Sequence, residues 1–528
     1  MPRRSSLAVF FVSALLVPCL LVAQHAGGQA KGSPAQLASP EAADSKSAAQ
    51  KSPKEFVTRH TLESGGKTLR YRAVAGETIL QDDKGAPKAS VFTISYLLDG
   101  VEDPSRRPIT FLFNGGPGST AVWLHLGAFG PARLDLGPDP LAVGAPPYAL
   151  RPNPHSLLDV SDLVFVDPIG TGYSRALGEG KASDYWGVDE DAASMADFIR
   201  TYLTRHRRWS SPKYLAGESY GTIRVSLLVR ELALDLLDSV ALNGVILIAS
   251  ALDVRIFLSG APGNDLAYAT SLPTYAATAY YHDQLPDKPA NLEAFLAEAR
   301  EFAATEYLTA LFRGDSLSEQ EVAAVAARLH RFTGLSKPYL RRSRLRVPVD
   351  RFLKELLRDR GETLAIHDTR FRGKDPDEAG EFVAWDPFLF GIAGPFVTAI
   401  NSYLTDELKV DMEGSYEVFA EQAGGSWKRP ANQRFVFSGF LETTSPLAQA
   451  AATNRDFRIF VASGYHDLTT TFFGVEHTFD HSGIARDRIT LRNYFGGHMM
   501  YLHGPSLKVL SEDIRAFIRQ PGKPGSSM

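Results

Sequence analysis

The order of segments along the chain predicts an α/β fold, a mostly parallel sheet with helices on both faces, interrupted by a helical cap insertion. Three observations carry that expectation. Short apolar runs suited to buried strands recur at residues 109–113, 163–167, 214–216 and 245–248, with helical periodicity between them. Strand and helix in alternation mark a parallel sheet covered on both sides. The alternation stops near Arg255, the chain is mainly helical to about Asn401, and strands return at 457–462 and 489–495.

Taken in order, Arg3 and Arg4 precede an apolar run at 7–22, followed by the small residues Ala23, Ala26, Gly27, Gly28 and Ala30. Charged, apolar, then small is the order of a secretory signal peptide, read here as residues 1–30 with cleavage between 23 and 30. A retained N-terminal anchor is the alternative. The run is short for a spanning helix and no other segment reaches membrane length, so an exported chain, periplasmic or extracellular, without stable membrane insertion is expected. Pro18 precedes Cys19, which argues against lipid attachment at that cysteine. Cys19 is the single cysteine of the chain. Once the leader is cleaved no disulfide can form, and stability must come from core burial. Residues 31–55 turn to Ala, Ser, Lys, Pro and Gln, a disordered linker.

The first part of the core is assigned to 56–255. Alternating runs such as Thr68-Leu69-Arg70-Tyr71-Arg72, separated by Gly65-Gly66 and Asp82-Asp83-Lys84-Gly85, predict an antiparallel edge from 56 to 98. Ala192, Met195, Ile199 and Leu203 set a helix over 191–207. The cap insertion is assigned to 256–401. In it Leu272-Pro273-Thr274-Tyr275 opens a helical stretch ending near Tyr281-His282. Residues 292–311 are periodic, and Ser318 with Glu321 forms a capping-box pattern. The second part of the core, 402–520, ends in a helix with Leu507, Leu510, Ile514 and Phe517 on one face, and 521–528 is a disordered tail. With 56 basic against 60 acidic side chains and a net charge of −4, no bulk positive field would recruit nucleic acid.

The chemistry starts at Gly217-Glu218-Ser219-Tyr220-Gly221, where a strand turns into a helix. Gly-x-Ser-x-Gly in that setting is a nucleophile elbow: the glycines allow a tight turn and the serine oxygen is lifted into the cleft. Serine needs a base to take its proton and an acid to orient that base. Strand 457–462 runs into Ser463-Gly464-Tyr465-His466-Asp467, and strand 489–495 into Gly496-Gly497-His498. Asp467 is therefore the expected acid and His498 the expected base. Strand 109–113 ends in Asn114-Gly115-Gly116-Pro117-Gly118, whose bare backbone would supply Gly116 N–H to an oxyanion hole together with Tyr220 N–H.

These segments, with Val164-Phe165-Val166-Asp167-Pro168 leading into Ile169-Gly170-Thr171-Gly172-Tyr173-Ser174, resemble the serine carboxypeptidase family (peptidase family S10). The resemblance implies an α/β-hydrolase core with a helical cap and removal of C-terminal residues from peptides. It also implies substrate binding at Asn114, Gly115 and Glu218, with Asn114 and Glu218 on the terminal carboxylate. The chain departs from the family pattern at Leu112, usually Trp, and at Ser119, often Cys. It departs again at Ala128, where the family carries a second Glu that pairs with the counterpart of Glu218. A weaker acidic optimum and looser carboxylate recognition are expected from that loss.

No cofactor and no metal are expected. His477 and His481 stand one helical turn apart, but Thr478 takes the place of the Glu that follows the first His in zinc hydrolases of this spacing. The cluster Arg341, Arg342, Arg344 and Arg346 reads as a solvated surface rather than a substrate or membrane contact. The function expected is an exported serine-type carboxypeptidase acting on peptides. An esterase or acyltransferase on the same fold is the alternative, and a non-catalytic binding protein of that fold is the alternative of another class.

Overall fold

The structure, a computed structural model, describes residues 53–137, 139–261, 263–430 and 439–520. The leader with Cys19, most of the linker and the 521–528 tail lie outside the described residues. The central sheet contains β1 (Glu55–Ser64), β2 (Lys67–Gln81), β3 (Pro87–Leu98), β4 (Ile109–Phe113) and β5 (Asp162–Val166). It continues with β6 (Lys213–Glu218), β7 (Gly244–Ile248), β8 (Arg458–Gly464) and β9 (Ile489–Tyr494). Their spatial order is β1-β2-β3-β5-β4-β6-β7-β8-β9, and the two-residue strand Arg175–Ala176 pairs with β3. β1, β2 and β3 pair antiparallel, as does β3 with β5; every pair from β5 through β9 is parallel.

The parallel strands are apolar on both faces because both are covered. Phe111 and Phe113 point into one core with Leu215, Leu247 and Val461, while Leu112 points into the other with Ala216, Ile248 and Phe460. Against the first core lie α1 (Val188–Arg205), through Met195 and Ile199, and α2 (Tyr220–Ala233), through Val225 and Val229. Against the second lies α7 (Gly504–Arg519), through Leu507, Leu510 and Ile514.

Between β7 and β8 the chain forms α3 (Leu266–Tyr281), α4 (Leu292–Phe302), α5 (Glu319–Thr333) and α6 (Pro387–Ser402), with shorter helices and a small hairpin (Glu362–Leu364 with Arg372–Lys374). Many of these residues share a separate core in which Tyr275 stacks on Phe352 at 3.9 Å and Phe302 on Phe332 at 5.4 Å. Leu468 and Phe472, just past Asp467, belong to that same core, so the loop after β8 is held from the insertion side. Both halves of the Ser318–Glu321 capping box form.

Two expectations are corrected. α3 begins before the Leu272-Pro273 opening and runs through Pro273, because Ala267 to Ala279 are buried and packing outweighs the break. The helical run Pro387–Glu407, 21 residues with mean hydropathy 1.3, does reach membrane length and apolarity. It packs Phe388, Ile392, Phe396 and Ile400 into the second core, the role of an internal helix.

Candidate active site

The loops that follow β4, β6, β8 and β9 all leave the carboxyl ends of parallel neighbours, where such sheets place ligands. Ser219 follows β6 and caps α2 with φ of 57° and ψ of −127°. A non-glycine residue there is strained, and the surrounding contacts hold it: Ser219 N–H donates to Ile248 O at 3.0 Å, and its carbonyl accepts from Thr222 Oγ1 at 2.7 Å. At Gly217 a β-carbon would come within 2.2 Å of Gly221 O, which is the physical reason for glycine in the turn. The Ser219 side chain is partly exposed, and its Oγ makes no hydrogen bond among the described residues.

Asp467 and His498 meet from separate loops. His498 Nδ1 donates to Asp467 Oδ2 at 2.8 Å, and both side chains are buried. Asp467 is fixed by three further donors: Thr469 N–H at 2.7 Å, Thr470 N–H at 3.0 Å and Thr470 Oγ1 at 2.6 Å. With a carboxylate on Nδ1, the imidazole keeps Nε2 for other work.

The Asn114–Gly118 loop lies against the elbow. A β-carbon on Gly115 would sit 2.7 Å from both Tyr220 N and Glu218 O, so only glycine allows this approach. Gly116 N–H and Tyr220 N–H donate to no acceptor among the described residues; the second is the first amide of α2, which a helix leaves free. Outside this loop runs a strap in which Val418 O accepts from Thr120 N–H at 3.0 Å and Ala420 N–H donates to Gly118 O at 2.8 Å.

Behind Ser219 sits a closed polar group. Asn114 Nδ2 donates to Glu218 Oε2, Asn114 Oδ1 accepts from Leu124 N–H at 3.0 Å, and Tyr501 Oη lies 2.9 Å from both Glu218 oxygens. Burial pushes the Glu218 carboxyl up to about 8; the bonds from Tyr501 and Asn114 oppose the rise and the Asp467 carboxylate adds to it. Ala128, where the resemblance led to the expectation of a departure, is fully buried among apolar side chains. Tyr501, and no second carboxyl among the described residues, bonds Glu218.

The residues that sequence reasoning missed come from afar. Tyr501 lies beyond the Gly-Gly-His motif in a stretch with no pattern of its own. A loop from 366 to 369 in the insertion holds the loops of both Asp467 and His498: Ile366 O accepts from Leu468 N–H at 3.1 Å and His367 O from His498 N–H at 2.6 Å. Thr369 N–H donates to His466 O at 3.0 Å, and Asp368 Oδ2 accepts from Gly497 N–H at 2.9 Å. The other side chains flagged by spacing have structural partners. His481 Nδ1 lies 2.8 Å from His477 O, and Glu476 binds Arg300 at 2.8 Å. Arg346 pairs with Asp265 at 2.7 Å and Arg341 with Glu319 at 2.5 Å.

Residues 92–263 match the family model described as serine carboxypeptidase. Over that segment, about a third of its length, the chain is similar to serine carboxypeptidases. Similar curated proteins include serine carboxypeptidase-like 5 of Arabidopsis thaliana, 31% identical over 142 residues, which are 26% of this chain and 31% of the relative. Serine carboxypeptidase-like 44 of the same plant is 34% identical over 136 residues, 25% of this chain and 26% of the relative. The chain thus spans about a third or less of the curated relatives it matches. Among solved structures, KEX1(delta)p, a prohormone-processing carboxypeptidase from Saccharomyces cerevisiae, aligns with a TM-score of 0.50 at 15% identity. That alignment takes in 88% of this chain and 91% of the other. At that identity it shows the fold alone, an α/β-hydrolase core.

Proposed function

We propose that the chain is an exported serine-type carboxypeptidase that removes C-terminal residues from peptides through Ser219, His498 and Asp467. The observation that carries the reading is the buried 2.8 Å bond from His498 Nδ1 to Asp467 Oδ2, made at the same sheet end as a strained Ser219 elbow. In this reading His498 Nε2 takes the Ser219 proton as Oγ attacks the scissile carbonyl. A C–O bond forms, and the oxyanion lies against Gly116 N–H and Tyr220 N–H. The C–N bond then breaks, the amine leaves with the proton from His498, and water returns through the same base to free Ser219. Residues 256–401 act as the cap over this cleft.

Ser219→Ala is expected to lower kcat by several orders of magnitude with an unchanged thermal midpoint. Mass spectrometry of a peptide mixture after incubation should show ladders shortened from the C-terminus. Trimming from the other end, or internal cuts, counts against the reading. The ester or acyl-transfer alternative is favoured by Ala128 and by the burial of Asn114 and Glu218. Rates on a blocked dipeptide and its ester separate the two.

A further inference from the structure

One titratable group beside the proposed triad takes part in none of the steps above. His367 sits in the insertion loop that grips the triad, and its ring meets the His498 ring nearly at right angles, with centroids 5.4 Å apart. Its Nδ1 bonds Asp386 Oδ2 at 2.9 Å. That carboxylate also accepts Ile366 N–H at 3.0 Å, His367 N–H at 3.1 Å and, as the cap of α6, Leu389 N–H at 2.7 Å. The ring is therefore fixed from behind. Its Nε2 has no hydrogen-bond partner among the described residues. The His367 side chain is 22% exposed, against 3% for Asp386 and 4% for His498.

The charged groups around it are accounted for. Asp386 faces it from the start of α6, and His498 and Asp467 from the loops after β9 and β8. On its own loop, Asp368 is spent on Arg370 at 2.5 Å and on Gly497 N–H. Burial works against a charge on His367, but the charge and hydrogen bond of Asp386, helped by Asp467, hold its imidazole above the ordinary value. A cationic donor with one unspent N–H suits a carboxylate oxygen. Asn114 and Glu218 are 1% and 2% exposed and bonded to one another, so they offer an anion little surface.

We propose that His367 is a specificity-determining residue whose Nε2–H binds a substrate carboxylate next to the scissile bond, with Asp386 holding the ring in place. This rests on the carboxypeptidase reading. The test compares kcat/KM for an N-blocked dipeptide with a free carboxylate and for the same dipeptide as its C-terminal amide. His367→Asn can keep the bond to Asp386 through its amide nitrogen but lacks Nε2 and the charge. The acid-to-amide ratio of kcat/KM should fall roughly tenfold in that variant, the size of one charge-assisted hydrogen bond, chiefly through KM for the acid. In the unmodified protein, KM for the acid should hold steady below the ordinary histidine value and climb relative to the amide only as the pH rises past it, where His367 loses its charge. An unchanged ratio, or equal losses on both compounds through kcat, would overturn the proposal and leave His367 a positioning residue. If the unmodified protein cleaves neither compound, the carboxypeptidase reading falls and takes this proposal with it.

Discussion

At the scale of single residues, Ala128 offers Glu218 no second carboxyl, and Glu218 is governed by burial and by Tyr501. Protonated up to about pH 8, Glu218 is neutral under mild conditions without needing an acidic medium. Above that value a negative charge develops close to Asp467, in a region where water screens little. Activity is therefore expected to fall as the pH passes about 8, and Glu218→Gln should remove that limb of the kcat/KM profile while keeping a neutral side chain of the same shape. Tyr501→Phe should shift the limb rather than remove it. Its hydroxyl lowers the Glu218 value, so removing it moves the limb to higher pH. Leaving a buried carboxyl short of a partner should also lower stability by about 1–3 kcal/mol, measured by denaturant unfolding. A profile unaffected by either change would mean that Glu218 does not titrate in this range.

At the scale of elements, α2 is tied to the loop that carries Asn114 by one fully buried side chain. Arg224 Nη1 donates to Asn114 O at 2.7 Å and Arg224 Nε to Asp191 Oδ2 at 2.7 Å, so helix, neighbouring helix and loop share a guanidinium. Arg224→Met leaves Asp191 buried without its cation and should cost about 3–5 kcal/mol; adding Asp191→Asn should recover part of that. If the double variant is as unstable as the sum of the singles, the pair is not coupled. This contact also marks what a sequence can disclose. β4 was legible to the residue and its neighbours to within two residues, because a strand covered on both faces leaves a continuous apolar run. The elbow was legible because its motif lies within five consecutive positions, although only Gly217 answers to a contact inside it and Gly221 answers to Phe113 and Asn114. Arg224, Tyr501 and the 366–369 loop were not, since their partners at the site (Asp191 and Asn114 for Arg224, Glu218 for Tyr501, the Asp467 and His498 loops for 366–369) come from other elements far along the chain. The start of α3 was misplaced for the reverse reason: Pro273 is a strong local signal that burial on every side overrides.

At the scale of the whole molecule, the buried titratable groups fall into two sets that pull stability in opposite directions with pH. Burial drives His125 down to about 3, partly buried His206 to about 4, and His466 well below its ordinary value, so the native state holds all three neutral. Below about pH 6.5 the unfolded chain binds protons at these positions that the native state refuses, and stability drops as pH falls. Burial raises Glu218 to about 8 and Asp167 to about 7, so there the native state keeps protons that the unfolded chain has released by about pH 4. Their contribution lowers stability as pH rises from that point to their native values. His367, raised by Asp386, stabilises fully below its unfolded value and loses that contribution as pH climbs through its native one. Near pH 5 the three histidines outweigh the two carboxyls; near pH 7.5 the histidine contribution is spent and the carboxyls and His367 dominate. From these groups thermal stability should rise on leaving acid pH and lose ground again as the pH climbs towards the raised carboxyl values, an alkaline loss that buried Lys213, lowered to about 8, partly offsets. Melting curves from pH 4.5 to 9 at fixed ionic strength would test this, with Glu218→Gln and Asp167→Asn flattening the alkaline side. A midpoint that keeps rising through pH 8 would mean that these groups titrate as freely in the folded chain as in the unfolded one.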